Sequence, residues 1–277
     1  MLNQPLLTVI MPVYNMEKYL GRALDKLAVQ EDRNFKLLII NDGSTDKTHE
    51  IAESYRDKFL HFKLVDKPNG GLSDARNVGM SLVDTPYFTF HDGDDWVDPG
   101  YTAFFVKSFA AHPDAAMVSC GFWIDSQKYN SSRVVDKKKE SGMLTKWETY
   151  AKMTNIFGSP VKGYTWNKGY LTDVVRKNNL TFVKDLAFME DQIFNVKYVS
   201  LTEGYYFSSE PLYHYWQRAD SMVHTIDVKK IPDNFKANYQ VWSQIIKSLM
   251  KEKDKNKQKL NKKAAKKATL SDVNYKD

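Results

Sequence analysis

The sequence predicts an α/β fold: a mostly parallel, Rossmann-like sheet with helices on both faces, extended by a C-terminal helix. Three observations predict it. Over the first 120 residues, short apolar runs alternate with segments of helical period, the pattern of strands joined by crossover helices. The runs lack period-two alternation, as expected of parallel strands buried on both sides. With 42% hydrophobic and 27% charged residues, the 277-residue chain can bury a sizeable core.

The elements follow in order. Leu7 to Val13 reads as the first strand, and Glu17 to Val29 places Tyr19, Leu20, Ala23, Leu24 and Leu27 at helical spacing. Phe35 to Ile40 is a second strand; Thr45 and Asp46 then offer N-caps for a helix through about Tyr55. Phe62 to Val65 is a third strand, Ser73 to Leu82 a helix and Tyr87 to His91 a fourth strand. Pro99 suits the first turn of another helix, and Ala115 to Cys120 is a fifth strand. Beyond Gly121 the pattern loosens. Residues 124 to 142 read as a polar loop or exposed hairpin, Leu144 to Met153 and Glu190 to Val199 as helices, and Tyr205 to Phe207 and Leu212 to Trp216 as two strands. Tyr164 to Val175 is aromatic, then amphipathic, and Val228 to Met250 reads as a long helix. The expected organisation is one domain over 1–225 in two halves (1–120 and 121–225), then the helix of 226–250 and a Lys-rich tail over 251–277.

Charge and composition exclude several classes. The formal charge is +6, but residues 251–267 alone carry nine Lys against one Glu and one Asp, so the remainder is near neutral. The basicity belongs to the tail, and no nucleic-acid partner is expected of the domain. A single cysteine, Cys120, excludes an intramolecular disulfide framework and a multi-cysteine metal site, and reads as buried packing. No stretch of about 20 apolar residues is present, nor a basic start with a cleavage site, so the expectation is a cytoplasmic protein. The lysine tail suggests peripheral contact with an anionic membrane at its inner face, or alternatively an oligomer contact.

In open parallel sheets, ligands bind beyond the carboxyl ends of the strands. Pro12-Val13-Tyr14-Asn15 ends the first strand, and the next three are followed by Asn41 to Asp46, Lys67 to Gly71 and Asp92-Gly93-Asp94-Asp95-Trp96. Neither GxGxxG after the first strand nor a P-loop occurs, which disfavours dehydrogenases and P-loop nucleotidases. Three carboxylates within Asp92 to Asp95 repel one another unless a cation or hydrogen bonds offset them. Oxygen ligands suit Mg2+ or Mn2+, though an acidic turn before a helix has the same composition. Asp42 is placed either to accept the imide N–H of a uracil ring or to form an Asx turn. The Gly70-Gly71 pair permits close backbone approach to a ligand, and Arg76 either neutralises phosphate oxygens or pairs with an acid.

Together, TVIMPVYN (Thr8 to Asn15), NDGSTD (Asn41 to Asp46), GGLSDARNVG (Gly70 to Gly79) and HDGDDW (His91 to Trp96) resemble the inverting glycosyltransferase family 2 of the GT-A fold, in order and in spacing. Trp166-Asn167-Lys168-Gly169-Tyr170, Phe188-Met189-Glu190-Asp191 and YHYWQRADSM (Tyr213 to Met222) resemble later elements of its bacterial polysaccharide and cell-surface glycan members. The resemblance covers roughly residues 5 to 225. His91 stands where the family often has an apolar residue, and the QxxRW element of processive members is absent.

The resemblance implies a non-processive hexosyltransferase that moves a sugar from a UDP-sugar donor, with Mn2+ or Mg2+, to a hydroxyl of a glycan, lipid-linked or glycoprotein acceptor. It implies Asp191 as catalytic base, Asp94 with Asp92 as the metal-holding pair, and Asp42 as the uracil-contacting acid. Pro12, Tyr14, Asn15, Arg76, Gly93 and Arg218 are then expected around the nucleotide. His214, Ser221 and His224 lie in the same late segment, with Arg218 or His224 as candidate phosphate ligands. Trp166 and the aromatics of 205–216 read either as sugar-stacking rings or as core. Two alternatives remain open: a nucleotidyltransferase of related architecture, for which Met11 to Tyr19 lacks the basic Gly-rich loop, and a non-catalytic sugar-binding module.

Overall fold

The computed structural model describes residues 4–135, 139–155, 159, 161–184, 189–218, 237–254 and 258. The strands are β1 (Leu7–Val13), β2 (Lys36–Asn41), β3 (His61–Asp66), β4 (Tyr87–Phe90), β5 (Trp96–Val97), β6 (Met117–Ser126), β7 (Ser131–Val135), β8 (Ser141–Leu144), β9 (Lys168–Leu171) and β10 (Tyr205–Gln217). The helices are α1 (Leu20–Ala28), α2 (Thr48–Ser54), α3 (Leu72–Leu82), α4 (Tyr101–Ala111), α5 (Lys146–Met153), α6 (Thr172–Asn178), α7 (Glu190–Leu201) and α8 (237–254). One sheet runs β3-β2-β1-β4-β9-β6-β10-β5, with β7 on β6 and β8 on β10.

The sheet has two characters. β3, β2, β1 and β4 are mutually parallel, as the βα alternation predicts. β9 then enters antiparallel between β4 and β6, while β6 and β10 pair in parallel. The sheet is therefore parallel in its first half and mixed in its second. The predicted fifth strand extends to Ser126 and forms the exposed hairpin with β7. The two strands expected at 205–216 are one strand, whose pairing with β6 shifts register on either side of Pro211. The helix expected at Pro99 begins at Tyr101, with Gly100 at the N-cap. Of the helix expected over 228–250, residues 228–236 lie outside the described residues.

Alternation along the central strands builds two cores. Ile10, Leu38 and Ile40 face α3, α5, α7 and α8, whereas Val9, Met11, Leu37 and Ile39 face α1 and α4. A sheet covered on both sides buries every strand residue, which explains the absence of polar alternation in β1 and β2. At Gly79 of α3, a Cβ atom would lie 2.4 Å from Ile10 Cγ2. The bare glycine lets α3 settle against β1, and this fixes the depth of Arg76, one turn earlier.

Candidate active site

The carboxyl ends of β1, β2 and β4 form one rim. Pro12 is tolerated in β1 because of where its missing donor points. Ile10 O accepts from His91 N on the β4 side and Val13 O accepts from Asp42 N on the β2 side, so the Pro12 nitrogen faces β4 beyond its last pair, Ile10 with Phe90. Tyr14 follows with 45% of its surface exposed. Asn15 stitches the first two loops together: its N–H donates to Ser44 Oγ (3.0 Å), and its Oδ1 accepts from Thr45 N–H (2.9 Å). Asp46 Oδ1 accepts the Thr48 N–H at 3.0 Å, but the N-cap of α2 is Lys47, without a side-chain cap bond, so the cap falls one residue beyond the expected Thr45 or Asp46.

Asp42 is turned inward, and its side chain is 4% exposed. It accepts from the Lys67 ammonium, from Gly70 N–H (2.9 Å) and from Gly71 N–H (2.7 Å). Lys67 also pairs with Asp74 at 2.8 Å. Asp42 therefore orders the 67–71 loop, and its Oδ2, with one bond from Gly71, keeps a further acceptor direction. Lys67 had no assigned role from sequence, although its place three residues before the Gly pair was visible.

The centre of the site is Arg76, whose side chain is 2% exposed. Its Nη1 donates to Asp191 Oδ1 (2.5 Å) and Glu190 Oε1 (3.0 Å), and its Nη2 to Asp92 Oδ1 (3.3 Å). Residues 16 and 115 positions away in the chain thus share one guanidinium. Burial alone lowers the Arg76 pKa, but Asp191, Asp92 and Glu190 outweigh it and hold the pKa above the ordinary arginine value. The acids respond in the opposite sense. Burial, reinforced by Asp191 and Asp94 and opposed by Arg76, raises Asp92 to about 6. Burial and Asp191 raise Glu190 to about 7. One cation does not satisfy three carboxylates, and Asp92 retains 25% side-chain exposure.

Asp191 enters from the first turn of α7, where a helix N-terminus favours carboxylates. The preceding Met189 adopts a left-handed backbone, φ 64°, a strained state for a bulky residue that turns the chain into the helix at this point. Asp191 Oδ2 accepts from both the N–H (3.2 Å) and the hydroxyl (3.1 Å) of Thr165. Thr165 was not anticipated; its signal was adjacency to Trp166-Asn167-Lys168. That motif anchors the segment. Lys168, pushed down to about 7 by burial, donates to Lys162 O (2.5 Å), Tyr164 O (2.7 Å) and Asn167 Oδ1 (2.9 Å). Trp166 stacks on Tyr164, Tyr213 and Tyr215 with only 3% exposure, so it is core rather than a sugar platform.

The acidic run after β4 divides its labour. Gly93 lets the loop close on β1, since a Cβ atom there would lie 2.8 Å from Val13 Cγ1. Asp94 Oδ2 lies 3.3 Å from Arg218 Nε, and its carbonyl accepts from Arg22 Nη2 at 2.8 Å. Asp95 is buried: it accepts from Tyr213 Oη (2.7 Å) and Trp216 N–H (2.7 Å), and Tyr213 Oη in turn accepts from Asp92 N–H (3.1 Å). Asp95 therefore ties the loop to β10. His91 is buried too, and burial lowers it to about 4; as neutral imidazole it donates from Nδ1 to Asp92 O at 2.9 Å.

The remaining late residues separate. His214 stacks between Trp96 and Trp123 and bonds Asp125 at 2.8 Å, a structural placement. Ser221 and His224 lie outside the described residues. Cys120 is buried, as expected. No group of three metal-ligating side chains occurs among the described residues. The donor set nonetheless fits a hard divalent ion, because Mg2+ and Mn2+ use one or two protein carboxylates with the remaining positions filled by water and phosphate. Asp92, with 25% side-chain exposure, and Asp94, with 17%, offer these oxygens.

A rim of strand-end loops, an acidic turn after β4 and an acid on α7 tied to that turn through Arg76 are the arrangement of a glycosyltransferase of the GT-A fold. The family follows from direct comparison: residues 8–171 match the model of Glycosyl transferase family 2, and the chain belongs to that family. It is 28% identical over 236 residues to the uncharacterized glycosyltransferase EpsJ of Bacillus subtilis (strain 168), covering 85% of this chain and 68% of that protein. It superposes on the crystal structure of S. aureus TarS 1-349 in complex with UDP-GlcNAc with a TM-score of 0.66 at 24% identity, covering 80% of this chain and 61% of that one. The mannosyltransferase PcManGT of Pyrobaculum calidifontis, in complex with GDP-Man and Mn2+, superposes with a TM-score of 0.58 at 16% identity, covering 89% and 65%. At these identities the two structures establish the fold. The chain spans about two thirds of the length of EpsJ and less of the two structural neighbours' chains.

Proposed function

We infer that the chain transfers a sugar from a UDP-sugar to a hydroxyl of a cell-surface glycan, lipid-linked or glycoprotein acceptor, with inversion at the anomeric carbon. The observation that carries this reading is Arg76, which holds Asp92 of the acidic turn and Asp191 of α7 on one guanidinium. The acids assigned to the donor side and the acceptor side thus share one side chain. The UDP-GlcNAc complex of TarS supports the choice of nucleotide.

The uracil ring stacks on exposed Tyr14 over the loop ordered by Asp42, whose open Oδ2 direction reads the imide N–H. Asp94, with Asp92, would hold Mn2+ or Mg2+, which would supply positive charge for the departing diphosphate. Arg218, beside Asp94, is placed to pair with the same phosphates. The acceptor oxygen attacks the anomeric carbon from the face opposite the diphosphate. The new C–O bond forms as the bond to the phosphate oxygen breaks, and UDP leaves with the electron pair. A sugar hydroxyl is far too weak an acid to ionise first; its proton becomes acidic only as the oxygen bonds to carbon, and Asp191 takes it then. The Thr165 hydroxyl is a rotor, and turning it away frees an Asp191 Oδ2 lone pair for that proton. Products and charges balance as glycoside, UDP and a protonated Asp191.

A panel of UDP-sugars tested for donor hydrolysis, with calorimetry of UDP in the presence and absence of Mn2+, decides the reading. Metal-dependent UDP binding with turnover of at least one sugar is expected. UDP that neither binds nor responds to metal would leave a non-catalytic module.

A further inference from the structure

The helix α8 has two apolar faces. Ala237, Val241 and Ile245 are buried in the core shared with α5 and α7, and Ser248 and Gln244 seal that face through Tyr150 Oη (3.0 Å) and Ser200 Oγ (3.1 Å). On the opposite face Tyr239, Trp242, Ile246 and Met250 are 74%, 52%, 53% and 64% exposed. Their spacing of three and four residues aligns them in one stripe. Single exposed apolar residues are ordinary on a protein surface, but four large ones in register on one helix are not. The same helix leads directly into residues 251–267, with nine lysines.

We propose that this stripe is a membrane-docking face: α8 lies in the plane of an anionic lipid surface, with Tyr239, Trp242, Ile246 and Met250 in the headgroup boundary. Two features select this occupant. Tryptophan, tyrosine and aliphatic side chains on one helix face, flanked by lysine, are the composition of an interfacial helix. The lysine-rich sequence that follows the stripe suits an anionic partner surface, which a second copy of this stripe of Tyr239, Trp242, Ile246 and Met250 does not supply. No helix among the described residues is long and apolar enough to cross a membrane, so α8 lies on the surface rather than spanning it. Stable attachment by a shallow helix takes a second signal, which the lysine run supplies. α8 meets α7 at Ser200, and the acid pair opens the same helix about 15 Å away at 1.5 Å per residue. Docking through α8 therefore bears on the helix that carries the acid pair.

Cosedimentation of the full chain with vesicles tests the proposal independently of catalysis. Binding is expected to phosphatidylcholine vesicles containing phosphatidylglycerol and to be weak without it. The double exchange Trp242→Ser and Ile246→Ser is expected to lower the partition coefficient at least about tenfold while leaving UDP binding unchanged. Replacing Lys262, Lys263, Lys266 and Lys267 by Glu is expected to remove the salt-sensitive part of binding. Should the double variant melt early, Met250→Ser at the far end of the stripe takes its place. Undiminished vesicle binding by the stripe variants overturns the proposal in favour of the lysines alone. A concentration-dependent dimer in solution that the stripe variants abolish overturns it in favour of a second copy.

Discussion

The two halves of the sheet build their parts of the site differently. Around β1, β2 and β3 the rim is made of consecutive motifs whose partners lie in neighbouring loops: Asn15 bonds Ser44 and Thr45, and Asp42 bonds Lys67, Gly70 and Gly71. Around β4, β9, β10 and α7 the contacts join distant segments: Arg76 with Asp191, Asp92 with Tyr213, Thr165 with Asp191. The first region is a set of loops ordered by their own turns and a few cross-loop bonds. The second is a charge cluster that exists only once the sheet closes. The contrast implies that damage to the first weakens nucleotide binding, whereas damage to the second removes turnover or the fold.

The largest effect is expected at Asp191. Asp191→Asn lowers transfer about 10³-fold while the UDP affinity measured by calorimetry stays within a factor of about two. Turnover near that of the parent would falsify the base assignment and erase the distinction between the halves. Next comes Arg76→Met, which leaves three carboxylates facing one another without their cation. A loss of about 3–5 kcal/mol in denaturant unfolding is expected. A cost below about 1 kcal/mol would show that the cluster is not the closure point of the second half.

Lys67→Met sharpens the comparison from the other side. It removes the cation from buried Asp42 and loosens the 67–71 loop. UDP affinity is expected to fall about tenfold, at a stability cost of about 1–3 kcal/mol, with kcat at saturating donor nearly preserved. A selective fall in kcat would place Lys67 with the catalytic group instead.

The smallest effect concerns pH. Glu190 is raised in the folded state to about 7, chiefly by burial, so between its unfolded value near 4.3 and about 7 the native protein holds the proton that the unfolded chain has lost. This group therefore favours folding at low pH and loses that advantage as pH rises through about 7. Buried His91 and Lys168, both lowered, act in the opposite sense in their own ranges, so the wild-type profile is a sum. The difference between wild type and Glu190→Gln isolates the carboxyl: the stability of wild type relative to the variant should decline steadily from pH 4.5 to 7.5 and level off above that. A flat difference would show that Glu190 ionises normally.

Much of the first half was legible because its information is local. A strand followed by NDGSTD, or by a Gly pair opening a helix, announces both element and loop, and β1, β2 and β4 begin and end within two residues of the expected bounds. The second half was less legible for a physical reason. β9 is a four-residue strand whose antiparallel insertion is set by the two strands it joins, and nothing in Lys168 to Leu171 states a direction. The two short strands expected at 205–216 are one, because pairing with β6 carries β10 through the irregularity at Pro211. Tyr213 and Trp166 looked like either sugar platforms or core. Closure of the sheet buries both rings and gives the Tyr213 hydroxyl to Asp95.

The sequence by itself determined the alternation of strand and helix and the polar loops along one edge, since each depends on residue type and short spacing. Tertiary structure alone decided that Arg76 lies between Asp92 and Asp191, that Asp95 is a structural tie rather than a ligand, and that Lys67 and Thr165 belong to the site. Charge pairing over more than a hundred residues leaves no local mark: the energy of a buried ion cluster depends on distance and desolvation, and both come into being only when the two halves of the sheet meet.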